Sequence, residues 1–424
     1  MKLLNLVENK YFYILSVLVF FLPLTYSRST NELFEFPKMF FVYFAGTILV
    51  TAFAVEVILR STKIKKIAFL PLVYLFTFLL SVIFSSHIYT SLWGYYTRFN
   101  DGLLSVCFFI FIYFVIKNVL SKTQTDALLK ISVTTLIPAG IISIAQHYGI
   151  SALWSSTPVE RAFSTFGQPN WFAQYVVLIL PLSIYYYVFD RNSLFWFTTS
   201  VIGFAGTWFS YSLSGLLGLL ISLLIFALLL TGKILTDRGK FKKIVILFTI
   251  YFLIGVLNPG LLTDRFHDLN QDIHKFFVIT PKVYAQELSG TSEYRVSDPG
   301  FIRSGLWQGT LNLIFSSPKV FLIGTGPETY PYEFQPFRTG DINYSSEWNF
   351  VMNKPHNYYL EIWSEQGILG LFTYILLIFW LYMKTPYKYK PGLAGFYVTN
   401  IFGWPTVATS LLFWILLAGT EADK

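Results

Sequence analysis

Apolar runs close to twenty residues long recur along most of the chain, separated by short polar segments. That length matches the hydrocarbon core of a bilayer, and only helices satisfy their own backbone there, so the pattern predicts a polytopic all-α membrane protein. The predicted spans are Tyr11–Tyr26, Lys38–Leu59, Ile67–Phe84, Leu103–Leu120, Asp126–Tyr148, Trp171–Phe189, Leu194–Tyr211, Leu213–Thr231, Ile244–Asn258 and Asn357–Met383. A last apolar piece, Gly395–Gly419, is interrupted at Gly403-Trp404-Pro405 and reads as one kinked span or two short ones; two bring the total to about twelve. The first run reaches Pro23 without a small-residue cleavage site, so it reads as a retained span.

Three loops are basic: Arg60 to Lys66, Lys233 to Lys243, and Lys384 to Lys390. Excess Lys and Arg marks cytoplasmic loops, and alternation then puts 259–355 outside. The chain thus divides into 1–258 (nine transmembrane helices), a large outer loop at 259–355, and C-terminal transmembrane helices at 356–424. Within the loop, Ile302, Leu306, Leu313 and Ile314 repeat at helical spacing, so Phe301–Ser316 is expected to form a helix packed over the outer face. Glu56 lies inside a span but four residues before Arg60, and the two are expected to pair at the interface.

Composition agrees: 54% of the residues are hydrophobic and 13% charged, roughly half the charge of a soluble chain. The net charge of +8 is concentrated in short loops, where it sets topology and does not point to nucleic acid. The single cysteine, Cys107, excludes an intramolecular disulfide.

Candidate chemistry gathers on the outer side. In Lys354-Pro355-His356-Asn357-Tyr358-Tyr359-Leu360, Asn357 is a good helix N-cap and Pro355 stiffens the approach. His356 then precedes the positive end of a helix, which favours a neutral imidazole able to accept a proton. Arg98, Arg161 and Arg303 share that side. Three guanidinium groups against the usual charge bias suit an anion such as a lipid diphosphate, which arginine holds in a bidentate fork. Each arginine alone could equally snorkel to lipid headgroups. If a diphosphate is the leaving group, cations stabilise it and the remaining need is a base, a role open to His356. In the outer loop Arg161 to Gln174, Gly167 and Pro169 enforce a turn and Asn170 is expected to cap the next span. His267 and His274 lack zinc-type partners. Gly324-Thr325-Gly326-Pro327 is a rigid turn without phosphate-loop spacing.

These residues resemble the O-antigen ligase and polymerase superfamily of bacterial envelope glycosyltransferases. Arg161 with Gly167-Gln168-Pro169-Asn170-Trp171-Phe172-Ala173 is similar to its Arg and Gly-x-Pro-Asn-x-x-Ala signature. Arg303, Trp307, Pro318 and Gly324-Thr325-Gly326 are similar to the series before its catalytic helix, and Arg98 to Gly102 is a looser match. His356-Asn357-x-x-Leu360 with Glu365-x-Gly367-x-x-Gly370 resembles its last motif. The resemblance implies a C-type glycosyltransferase (GT-C) fold of about twelve spans in the bacterial inner membrane. It implies transfer of a glycan from undecaprenyl diphosphate to a hydroxyl of a lipid, glycan or protein acceptor, with no metal or cofactor. His356 would be the base and Arg161 and Arg303 would hold the diphosphate, with Arg98, Asn170, Asn357 and Glu365 around the substrate. Many members carry an arginine after the serine at the junction occupied here by Ser214-Gly215. Ligase and polymerase share these motifs. A transporter or flippase ranks behind both, because no repeat is visible.

Overall fold

A computed structural model describes residues 2–60, 64, 67–150, 158–260, 299–343, 347 and 349–420. Every regular element among the described residues is helical. Helices α1 (Lys2–Phe21), α2 (Glu35–Arg60) and α3 (Phe69–Ile83) are followed by a short α4 (Ile88–Trp93), then α5 (Leu103–Val119). The expected span Asp126–Tyr148 is broken into α6 (Lys122–Thr134) and α7 (Leu136–His147). Pro138 lacks the N–H that would bond residue 134, which accounts for the break. Next come α8 (Pro169–Phe189), α9 (Ser193–Trp208), α10 (Leu213–Leu235) and α11 (Arg238–Leu257).

The segment between the large helices forms α12 (Pro299–Ile314), α13 (Pro318–Ile323), α14 (Tyr330–Glu333) and α15 (Gly340–Asn343). Leu306, Leu313, Tyr330, Phe334 and Ile342 bury each other in a small core, with Ile302 packed against it. The helix expected over Phe301–Ser316 is therefore present; His267 and His274 lie outside the described residues. Finally come α16 (Tyr358–Lys384), α17 (Lys390–Thr399) and α18 (Val407–Gly419). The last apolar piece is thus two helices joined at Gly403-Trp404-Pro405, not one kinked helix.

Among the described residues, five stretches are long and apolar enough to cross a membrane: Glu35–Leu59, Lys122–His147, Pro169–Phe189, Leu213–Leu235 and Tyr358–Lys384. Lys10–Leu24, Phe69–Ile83, Leu103–Val119 and Val407–Gly419 are apolar but shorter. Helix α8 is apolar all round and buried along nearly its whole length, as a central helix must be. Helices α10 and α17 meet through Gly218 and Gly395; a Cβ on Gly395 would lie 2.4 Å from the Gly218 carbonyl oxygen. Small residues let backbones approach this closely. Glu56 pairs with Lys10 at 2.9 Å and accepts a hydrogen bond from Tyr11 at 2.8 Å. The Arg60 side chain, its expected partner, lies outside the described residues.

At one end of the bundle the loops are tied to one another. Ala162 N–H donates to Phe209 O at 3.0 Å, Ser86 N–H to Thr325 O at 2.9 Å, and Tyr358 N–H to Asn400 O at 2.9 Å. All six non-glycine residues with positive φ lie at this end, among the described residues: Phe99, Asp101, Ser164, Tyr211, Glu328 and His356. Such backbone concentrates where function over-determines the conformation.

Candidate active site

The entry to α16 is built from its own polar residues. Asn357 caps the helix as expected, its Oδ1 accepting the N–H groups of Tyr359 at 3.0 Å and Leu360 at 3.2 Å. The α16 backbone turns sharply at Gly367, where φ is +68° and a side chain would strike Leu322. The turn lets Thr325 N–H and Gly326 N–H donate to the carbonyls of Ser364 and Glu365 at 3.0 and 2.8 Å. The Gly-x-Gly turn and the Glu-x-Gly segment are therefore two halves of one backbone contact. Glu365 belongs to it: its carboxylate accepts Glu328 N–H at 2.9 Å and Tyr330 N–H at 3.1 Å. Glu365 thus faces the turn and is not among the residues lining the cleft described next.

That cleft is lined by Gln168, Asn170, Trp171, Gln174, Ser214, His356, Thr399, Phe402, Gly403 and Trp404. His356 is half-buried, with φ +55° and its ring 5.1 Å from that of Trp404. Among the described residues its ring nitrogens make no hydrogen bond. The Arg98 guanidinium lies over two indoles, 5.6 Å from Trp171 and 5.7 Å from Trp404. Arg303 sits 5.9 Å from the Phe402 ring, with its Nη2 3.5 Å from the Phe402 carbonyl oxygen. One turn on along α12, Trp307 Nε1 donates to Pro355 O at 3.1 Å. The Arg-x-x-x-Trp spacing thus puts a cation over the cleft and a clamp on the backbone before His356.

Arg161 reaches the same cleft from the other side. Its Nε donates to Ser210 O and its Nη2 to Asn170 Oδ1, both at 3.2 Å. Asn170 does not cap α8: Gln168 holds that position and Pro169 starts the helix. Instead its oxygen also accepts the Ser212 hydroxyl at 2.7 Å, so the side chain is turned into the cleft wall. Trp171 Nε1 and Gln174 Oε1 are buried there without a protein partner among the described residues. Buried polar atoms of that kind call for a ligand or water.

The charge of the site follows from this packing. Burial lowers the His356 pKa first, and the nearby Arg303 and Arg98 cations add to it, taking it from 6.5 to about 4. The imidazole is neutral at pH 7 for these reasons more than through the helix end. Behind His356 lies a second cluster that the sequence reading missed. Lys354 is 2% exposed and pairs with Glu328 and Glu361, with Asp101 at 3.7 Å. Burial alone would lower the Lys354 pKa, but the carboxylates of Glu328, Glu361, Asp101 and Glu365 outweigh it and hold the group charged. Burial also pushes Asp101 up to about 6 against the pull of Lys354. Glu328, Glu361 and Glu365 each offer an oxygen within 4.8 Å of the others, the spacing of a cation site, and the Lys354 ammonium pairs with two of the three. A further buried pair, Glu35 and Lys38, ties the Arg161 loop to α18: Lys38 Nζ donates to Thr165 O at 2.9 Å and Glu35 Oε2 accepts Val407 N–H at 2.7 Å. A charged residue at the apolar start of a predicted span was the available signal for Lys38.

The structure therefore puts His356 and Asn170 in the wall of one cleft, with Arg98, Arg303 and Arg161 against the wall residues Trp171, Trp404, Phe402 and Asn170, while Asn357 caps its helix and Glu365 holds the adjoining turn. No curated protein matches the chain. Residues 198–375 match the family model described as O-antigen ligase, a stretch that includes Ser214, Arg303, His356 and Glu365. Over that stretch the chain is similar to the O-antigen ligase superfamily, whose members are membrane glycan-transferring proteins.

Proposed function

We propose that this protein is a membrane glycosyltransferase that moves a glycan from undecaprenyl diphosphate to an acceptor hydroxyl on the periplasmic side of the bacterial inner membrane. The observation that carries the reading is the convergence of an imidazole without a hydrogen bond among the described residues with two guanidinium groups on the Trp404–Phe402 wall of a single cleft. Arg98 and Arg303 bind the diphosphate, and Arg161 supports it through Asn170. As the glycosidic bond to phosphate breaks, negative charge grows on the diphosphate, and fixed cations stabilise it without reorganising. His356 takes the proton from the attacking hydroxyl. The structured outer segment, α12 to α15, covers this face, and the alternation of α1–α3, α5–α11 and α16–α18 fits about twelve spans of the GT-C class.

The test is product analysis with purified protein, a defined lipid-diphosphate glycan and candidate acceptors. One transfer to a different acceptor identifies a ligase; a ladder of lengths on the lipid identifies a polymerase of the same superfamily. His356→Ala is expected to abolish transfer while donor still binds, and Arg303→Ala to weaken donor binding. Unimpaired turnover by His356→Ala, or no transfer of any kind by the wild type, refutes the reading.

A further inference from the structure

A single ammonium joins three separate parts of the chain beside the cleft. Asp101 belongs to the loop that carries Arg98, Glu328 to the turn at 324–330, and Glu361 to the first turn of α16; Lys354 itself stands two residues before His356. Three of the residues involved, Asp101, Glu328 and His356, have left-handed backbone with φ of +58°, +62° and +55°. Non-glycine residues hold that conformation only when their surroundings dictate it. The surroundings here are Lys354 and its carboxylates: Lys354, Glu328 and Glu361 are each under 5% exposed.

We infer that Lys354 is a positioning residue for the transfer reaction, fixing the spacing between the Arg98 guanidinium and the His356 imidazole by tying their two segments to one buried cation. The inference rests on the proposed glycosyltransferase function. The buried Lys354 ammonium is taken up by Glu328 and Glu361, with Asp101 at 3.7 Å, so it acts through its neighbours and not on substrate. Removing it leaves three carboxylates from three segments with no common partner, and each segment relaxes independently. A misplacement of about 1 Å between reacting groups lowers turnover on the order of 10²-fold.

The experiment uses the full chain in lipid nanodiscs with a lipid-diphosphate glycan donor, measuring kcat, donor KM and thermal midpoint together. Lys354→Met is expected to lower kcat about 100-fold. Lys354→Arg, which keeps the cation, should recover at least a tenth of wild-type kcat. The charge-balanced double variant Lys354→Met/Glu361→Gln should regain much of the thermal midpoint but not kcat, a split that a purely structural role does not produce. Folded Lys354→Met or the double variant with kcat within threefold of wild type overturns the inference. Should neither accumulate, Asp101→Asn releases only the Arg98 arm and is expected to raise donor KM several-fold; an unchanged KM overturns the inference equally. His356→Ala is run alongside. An inactive His356→Ala beside an active Lys354→Met removes only the role of Lys354, whereas an active His356→Ala removes the function beneath it.

Discussion

If His356 is the base, its protonation must control transfer, and the structure says where. Burial, then Arg303 and Arg98, bring it from 6.5 to about 4, a difference of roughly 3 kcal/mol between the neutral and protonated imidazole. The neutral form is the active one, so activity is lost as pH falls through this pKa. A bound diphosphate sets its negative charge against the same two guanidinium groups. A nearby anion favours the protonated imidazole, so the complex should titrate at higher pH than the free protein. Since kcat/KM reports the free enzyme and kcat the complex, the acid limb of kcat should lie at higher pH than that of kcat/KM. The assay is steady-state transfer from pH 4 to 8 with a defined lipid-diphosphate donor, corrected for the folded fraction at each pH. Arg303→Met should move the kcat/KM limb upward, because one of the groups lowering the pKa is gone. A kcat/KM limb at or above the ordinary histidine value, or one that Arg303→Met leaves in place, refutes this account of the base.

Two further substitutions separate the scaffold from the chemistry. Glu365→Gln replaces one acceptor of the Glu328 and Tyr330 N–H groups by a donor. It should cost about 1–3 kcal/mol, seen as a lower thermal midpoint with donor affinity unchanged; a large loss of affinity at full stability would return Glu365 to the substrate. Lys38→Met strips the partner from buried Glu35, and breaking such a pair costs about 3–5 kcal/mol. A midpoint equal to wild type would show that this pair does not hold the Arg161 loop.

What the sequence made legible was periodic or local. The apolar runs located the large helices, because a bilayer-length stretch needs no tertiary information. The Asn357 cap was readable because its hydrogen bonds reach only two and three residues ahead. The Asn170 cap failed for a tertiary reason: Arg161 and Ser212, nine and forty-two residues away, claim its oxygen. The same holds for Glu365, whose partners are thirty-five and thirty-seven residues back in the turn. The cause of the neutral imidazole was read as the end of α16, whereas burial and two arginines from distant segments dominate. The Lys354 cluster was invisible because its three carboxylates are scattered between residues 101 and 361 with no spacing to betray them.

The Lys354 cluster also bears on how Arg98 can meet a phosphate. Asp101 is three residues from Arg98, and its carboxylate is the nearest candidate to neutralise that guanidinium. Among the described residues Arg98 makes no ion pair; Asp101 lies instead 3.7 Å from the Lys354 ammonium. The Arg98 guanidinium lies 5.6 Å from the Trp171 ring and 5.7 Å from the Trp404 ring. A guanidinium packed against two indoles, and without an ion pair among the described residues, is free to take a bidentate anion, and part of the ordering cost is met before the ligand arrives. On this view the buried lysine keeps a carboxylate away from an arginine as well as holding two segments together. Replacing Lys354 would then harm donor binding by letting Asp101 swing to Arg98, even in a protein whose helices are all in place.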